Sequence, residues 1–576
     1  MSSLGGLYIG VSGLSVSQAA LNATSHNLAN VDTKGFVRQQ AVITDFHYIK
    51  WGESYISSMQ QGLGANFATL KQVRDSFLDQ AYRQEVGRQA FYESQYLAVN
   101  EVEGLFGELE GVSFQDTMKE YWISLQEMVK EPDNVVARAS FVETAVTFVE
   151  RAENISRQLN DYQINLNTQI TNQVNRINEI GEEIKALNMK VRQYESSGVE
   201  KANDLRDQRN LLLDELGKMA DITYKENMNG VVTVNLEGVA FVSEDTVFGM
   251  ETERINENSE MLKPVWPTHG YVDVFNLDKP ASSLNNTDIG SLKGILTARG
   301  YKQANYTDIP IKEAFETEAM YQVAVNDYNR QINPSIIISV QAEFDQLIHG
   351  IVTSVNNIMS PNREVTLSDG TKVWILDEGK APVGMDPDRT MGETLFNRKS
   401  MARYGEPEDI QIEDGFGGYE TITAHIYNSE NKEDNYSLFT LGEIEVNKDI
   451  LHNISLIPLS SSQGTGDFDI EAAQSLLSNW QEPFAALSPN YLTKNNFSDY
   501  YTSFMSEIAN RGEQLNIISE NQASMVESVD NQRLQVTGVS SDEELSNLIK
   551  YQHAYNAAAR YINVVSEMLE HIVMNM

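Results

Sequence analysis

The chain contains no cysteine. Disulfides and thiol chemistry are thereby excluded. Proline is scarce and unevenly placed: all thirteen lie between Pro132 and Pro489, twelve of them from Pro264 onward. A proline inside a helix costs about 3 kcal/mol. Both ends and the stretch 133–263 are therefore free to form long helices, and the middle is not. Charge is missing from the start of the chain, with no Asp or Glu before Asp32 and no Lys or Arg before Lys34. The basic n-region of a secretory signal peptide is thus lacking. No apolar run approaches the ~20 residues that cross a bilayer. Over the whole chain 43 basic residues face 82 acidic ones, and a net charge of −39 repels polyphosphate, so neither nucleic acid nor membrane is an expected partner.

Recognisable reaction chemistry is also missing. The eight histidines are scattered, with no HExxH and no close pair, which leaves zinc hydrolysis unsupported. His553 reads as a packing or surface residue. Asp386–Glu393 resembles a calcium loop only superficially, because Met391 stands where that loop needs glycine. Gly415–Gly418 follows no strand–helix pattern that would cradle phosphate. The expectation is a non-enzyme with no catalytic residues, no metal and no cofactor.

What the chain does have is two weakly charged amphipathic ends. Leu548, Tyr551, Tyr555, Ala558, Ile562, Val565, Leu569, Ile572 and Met576 alternate steps of three and four, a seam of about four heptads. Leu4, Leu7, Val11, Leu14, Gln18, Leu21, Ser25 and Leu28 keep the same rhythm at the start. Beside them runs a second stripe of small residues: Gly6, Gly10, Gly13, Ser17, Ala20 and Thr24. Each glycine costs a helix about 1 kcal/mol relative to alanine. Burying one Leu or Ile contributes roughly 1.5–3 kcal/mol, against about 1–2 kcal/mol for ordering each residue. Such a helix is near break-even alone and gains from contact on several sides. The two ends are expected to pack together and then against copies of themselves, with Leu7, Val11, Leu14 and Leu21 meeting the C-terminal seam.

Between the ends, Phe141, Ala145, Phe148, Ala152, Ile155, Leu159, Tyr162 and Leu166 keep heptad spacing. The pattern skips to Ile170 and Val174 and resumes from Ile177 to Val191 and Tyr194. A stutter of this kind unwinds a supercoil locally without ending the helix. One helix over about 135–195 would be roughly 90 Å long. Gly198 and Asn203 break and recap it. Helical periodicity is expected from Thr69 to about Leu216. Thr223–Tyr224, Val231–Val234 and Val239–Val242 then read as a β-meander. A helix returns at Ser339–Met359, short strands follow over 361–458, and helices resume near Glu471 and strongly over Ser498–Gln535. At 576 residues several domains are expected.

Asn27-Leu28-Ala29-Asn30-Val31-Asp32-Thr33-Lys34-Gly35-Phe36-Val37-Arg38 resembles the N-terminal signature of bacterial flagellar axial proteins, the rod, hook and hook-associated subunits. Gly538-Val539 with Asp542-Glu543-Glu544, continuing through Gln552, Tyr555 and Arg560, is similar to the matching C-terminal signature. Ser541 with Glu544 three residues on also reads as a capping box for the last helix. Asn203–Leu216 and Gly290–Arg299 resemble internal motifs of the hook-associated members. Lys34, Phe36 and Val37 bring the turn closer to the rod and hook form, and Arg206 and Asn210 also depart from the hook-associated pattern. The likeness fades over 361–490.

The resemblance implies a mixed, mainly α fold with β-rich insertions: an elongated chain whose terminal helices pair as a coiled coil. The expected divisions are 1–68 (axial helix and signature turn), 69–220 (long helical domain), 221–338 (β-rich with linker), 339–360 (connecting helix), 361–470 (outer β-rich domain), 471–535 (returning helices) and 536–576 (C-terminal heptad helix). It implies a structural subunit joining hook to filament. Uncleaved type III export would place it outside the cell. The implied partners are copies of itself, hook protein, hook-associated protein 3 and a cytoplasmic export chaperone. The expected packing residues are Leu4, Leu7, Val11, Leu14, Leu21, Leu28, Leu548, Tyr551, Tyr555, Ala558, Ile562, Val565, Leu569 and Ile572. Two alternatives stand beside this reading: a hook or rod subunit, or an axial protein whose 361–490 region acts as an adhesin or enzyme.

Overall fold

The computed structural model describes residues 3–54, 57–107, 113–196, 201–257, 259–413, 418–461 and 469–574. The expectations for Gly198, Gly415–Gly417 and Met576 lie outside the described residues.

The chain opens with helix α1 (Ser3–Ala29). A β-ribbon follows, in which β1 (Gln39–Asp45) pairs antiparallel with β4 (Ala65–Gln72), enclosing the hairpin of β2 (Tyr48–Ser54) and β3 (Ser57–Gly62). Thr69–Gln72 are therefore strand, not the start of the helical region: their cross-strand partners in β1 hold them extended, and α2 (Ser76–Phe106) begins only at the Asp75 cap. Gly107 ends α2 in the left-handed conformation. The segment Glu131–Asn134 separates α3 (Phe114–Lys130) from α4 (Val135–Glu195), with the Asn134 side-chain Oδ1 accepting the Val136 and Ala137 N–H groups.

At 61 residues α4 is roughly 90 Å long. Its buried positions follow the heptads and the stutter from Phe141 to Val191, except just before the stutter, where Tyr162 is only partly covered and Gln163 is fully buried. The Gln163 amide donates to the carbonyls of Arg299 and Lys302, each at 2.9 Å. Tyr194, at the end of the pattern, is exposed.

Beyond α4 come α5 (Asn203–Met219) and an antiparallel meander of β5 (Ile222–Glu226), β6 (Val232–Leu236) and β7 (Val239–Val242). Then follow α6 (Ser291–Arg299), α7 (Glu318–Gln331), α8 (Ile336–Met359), short α9 (Lys448–His452), α10 (Ile470–Gln481), α11 (Phe497–Thr537) and α12 (Ser541–Met574). The fold is mainly helical with small sheets.

One core runs from Ala98 to Ile508 and is rich in rings: Phe106, Phe114 and Phe504 surround Phe344, while Tyr121 stacks on Phe141 and Phe148. Phe396, Ile444, Val446 and Leu459 belong to this same core. The stretch 361–470 is thus partly sealed onto the helices. It keeps a small apolar cluster of its own around Val365, Ile375, Ile410, Ile412 and Ala424.

The internal motifs are sites of close approach. A Cβ at Gly290 (φ +97°) would lie 2.6 Å from the Met219 carbonyl oxygen, and one at Gly294 would lie 2.7 Å from that of Phe91. Only glycine lets α6 settle between α2 and α5.

Candidate assembly interface

The two ends of the chain lie side by side. Gly6 faces Val565 and Tyr561, Gly10 faces Ile562, and Gly13 faces Ala558, so α1 and α12 run antiparallel. A Cβ on Gly10 would sit 2.6 Å from Cγ1 of Ile562. The small-residue stripe is therefore the face that meets α12, and the expected leucine-to-seam pairing is displaced. The reason is geometric: residues one apart are turned about 100° round a helix, and removing side chains from one stripe lets the backbones close on that stripe. Leu7, Leu14, Leu21 and Leu28 are half-buried and Val11 is 50% exposed. The side chain of Leu4 lies outside the described part. On α12, Val565 is buried, Leu548, Tyr551, Tyr555, Ala558, Ile562 and Leu569 are half-buried, and Ile572 is exposed.

A polar clasp closes the far end of this pair. The helix α1 stops at Ala29, with the Asn30 amide donating to the His26 carbonyl at 2.9 Å and Thr33 Oγ1 to Asn30 Oδ1 at 3.2 Å. Gly35, at φ +80°, turns the chain against Leu211 of α5. The ring of Phe36 meets His26 edge-on at 5.4 Å. The buried Asn27 side chain then grips the Gln39 peptide from both sides, donating to its carbonyl at 2.8 Å and accepting its N–H at 3.0 Å. Asn27 also donates to Glu544 Oε2 at 3.1 Å. Arg38 donates to Glu544 Oε1 at 2.8 Å and pairs with Glu543 at 3.0 Å, while its backbone N–H reaches the Thr537 carbonyl at 2.9 Å.

These bonds correct the capping-box expectation. The Glu543 N–H donates to Ser540 Oγ, so the cap falls one residue earlier than Ser541, and the Glu544 carboxylate is committed to Asn27 and Arg38 instead. Of the other signature residues, Gly538 caps α11 by donating its N–H to the Leu534 carbonyl at 2.7 Å, and Val539 is half-buried. Ala29, Thr33, Asp542, Gln552, His553 and Arg560 are exposed.

The clasp is anchored to the body through α5. Asn203, Asp207, Asn210 and Asp214 step by four, three and four and form a polar stripe. Asp207 accepts the Val37 N–H at 3.2 Å and the Gln72 amide at 2.8 Å. Asp214 accepts from Arg83 of α2 at 2.7 Å and from Arg533 of α11 at 2.8 Å. Gln39 adds a bond to Asp204 at 3.2 Å. Burial lifts the Asp207 carboxyl to about 7, against the pull of the Val37 N–H, Arg74 and Gln72. Sequence reasoning missed this stripe as a docking face, although its heptad-like spacing of acids and amides is visible in the residues alone.

Among the described residues there is no cluster of three or more His, Cys, Asp or Glu able to hold a metal, and no helix long and apolar enough to cross a membrane. The Asp386 carboxylate bonds its own loop, accepting from Thr390 Oγ1 at 2.7 Å and from the Thr390 N–H.

Comparison with known proteins gives this geometry a context. A family model for the flagellar hook-associated protein FlgK helical domain matches residues 99–371. Models for flagella basal body rod protein and for the flagellar basal body rod FlgEFG protein C-terminal region match 7–36 and 530–575. The flagellar hook-associated protein 1 of Bacillus subtilis is 24% identical, with 98% of this chain and 96% of that protein covered. The protein of the same name from Escherichia coli is 22% identical, with 98% of each covered. The solved structure of the flagellar hook junction protein FlgK from Burkholderia pseudomallei aligns at TM-score 0.51 and 13% identity, covering 80% of this chain and all of that one, a likeness of fold. The two terminal matches, meeting as α1 and α12, define the class: a structural axial subunit of the flagellum. Within that class the chain resembles the flagellar hook-associated protein FlgK family, whose helical-domain model matches its middle and whose curated members align along nearly its whole length.

Proposed function

We propose that the chain joins hook to filament, assembling with copies of itself through α1 and α12. Hook protein lies on one side of that layer and hook-associated protein 3 on the other. The observation that carries this reading is the state of the terminal pair. On α12 only Glu544 and Val565 are fully buried, while Val564, Met568 and Ile572 stay exposed, as Tyr8 and Val11 do on α1. Apolar surface of that extent is built to be covered. The central helices then carry 361–470 outward as a spacer, and no part of the chain acts as an enzyme. Before assembly the chain leaves the cell through the flagellar export channel, its seam at Leu548, Tyr555, Ile562, Leu569 and Ile572 shielded by a cytoplasmic chaperone.

The test is Ile562→Asp in cells that make this protein. An unpaired carboxylate in the seam should stop filament growth on otherwise complete hooks, with the purified variant still folded in its central helices. Normal filaments on such hooks would overturn the seam assignment. Cross-linking along the whole length of the hook, in place of one end of it, would make this a hook subunit instead.

A further inference from the structure

The helix α12 is apolar over a wider sector than α1 covers. At about 100° per residue, Ala554, Ala557, Val564 and Met568 fall on one line, turned roughly a quarter-turn from the seam, with Tyr561, whose ring lies against Gly6 and Gly10, at its near edge. All four are exposed, Val564 at 46% and Met568 at 59%. Arg560, Glu567 and Glu570 collect on the far side of the helix, away from both lines. The helix α1 repeats this arrangement. Its small-residue stripe is occupied by α12, its other covered flank meets the β-ribbon through Ile9 and Ser12 near Gly64, and its leucine stripe is left half-covered. No Asp, Glu, Lys or Arg occurs anywhere on α1.

The hands of the two helices decide where these free stripes point. Viewed from the N-terminus of α1, the leucine stripe lies about a quarter-turn clockwise of the direction to α12. On α12, which runs the opposite way, the Ala554–Met568 stripe lies about a quarter-turn clockwise of the direction to α1. The two stripes therefore face opposite sides of the helix pair, and no single molecule can bring them together.

We propose that the leucine stripe of α1 in one subunit packs on the Ala554–Met568 stripe of α12 in the next copy. This deepens the assembly reading above and rests on it. The contact is head-to-tail: each subunit offers one stripe and receives the other. It is the type of contact that closes into rings or winds into tubes, and it does not stop at a dimer. It also extends the intrachain pairing without a change of chemistry, since each helix simply gains a second apolar neighbour.

The absence of native cysteine makes the test clean. The double variant Val11→Cys, Val564→Cys is produced in cells that make flagella, and the flagella are treated with an oxidant or a short bifunctional thiol reagent. The expected result is a ladder of cross-linked multimers, absent from the secreted monomer and from either single variant alone. Incorporation into flagella with no ladder would overturn the stripe pairing while leaving the assembly reading intact. Failure of the wild-type chain to enter flagella at all would overturn the assembly reading and the pairing with it.

Discussion

Two long helices of this molecule live under opposite conditions. In α4, twenty of 61 residues are buried, and the core they join contains a ring system from Phe106 to Phe504. In α12, two of 34 residues are buried, one of them the carboxylate Glu544. Both carry heptad patterns of similar regularity, so periodicity does not distinguish them. Supply of neighbours does. The core helix finds partners within its own chain on several sides, whereas the terminal helix has one glycine-lined partner and a clasp. A heptad pattern states what a helix can bury; how much it does bury is decided by what stands beside it.

That contrast can be broken at either end. Ile562→Asp should have the largest effect on assembly and almost none on the body, measurable as loss of incorporation into flagella with an unchanged melting curve for the central helices. Phe148→Ala should do the reverse, lowering stability by about 3–5 kcal/mol in urea unfolding followed by tryptophan fluorescence. If it loosened only the termini, the single-core description would be wrong. Arg38→Ala leaves the buried Glu544 carboxylate with the Asn27 amide but no cation, and a loss of about 1–3 kcal/mol is expected. Faster proteolysis near Asn30 and Gly538, with the body still resistant, is its readout. Equal protection in both proteins would sink the clasp.

The smallest effect belongs to the body alone. Burial lifts the Glu237 carboxyl to about 7, against roughly 4.3 for an exposed glutamate. A carboxyl raised in the folded state contributes its stability fully below the unfolded value and loses it as pH climbs through the folded one. Glu237→Gln should therefore gain on the native chain between about pH 4 and pH 8, by on the order of 2 kcal/mol once the ~3.7 kcal/mol of the full shift is discounted for a half-buried side chain. Denaturant midpoints at the two extremes would show it, and a difference that did not change with pH would refute it.

Much of the helical frame was legible in the residues. The Phe141–Val191 heptads and the proline-free ends gave α4, α11 and α12 nearly to their boundaries, and the short runs at Thr223–Tyr224, Val231–Val234 and Val239–Val242 gave the β5–β7 meander. The helix α7 was not legible because only Tyr328 of it is buried, so its apolar residues mark no face. Sequence favoured Leu7, Val11, Leu14 and Leu21 as the partner face of α12 because large side chains dominate a burial estimate; the structure prefers Gly6, Gly10 and Gly13 because closeness of backbones decides that contact.

Side-chain amides were invisible for another reason. Asn167, Asn178 and Asn188 project from α4, and each exchanges two bonds with a single backbone segment, at Glu260–Leu262, Met250 and Val232. Nothing in spacing distinguishes them from solvated asparagines. The partner strands lie tens of residues away, and only the folded chain brings them alongside.

The bond between Asn27 and Glu544 spans 517 residues of sequence. Tying such a loop in a random chain would forfeit about 5–6 kcal/mol of entropy before any contact is repaid. The molecule escapes that penalty because α2 and α11 already hold Tyr82 and Arg533 together, 3.8 Å from ring to guanidinium. The folded interior therefore brings the two extremities near each other, and the clasp has only a short remaining gap to close.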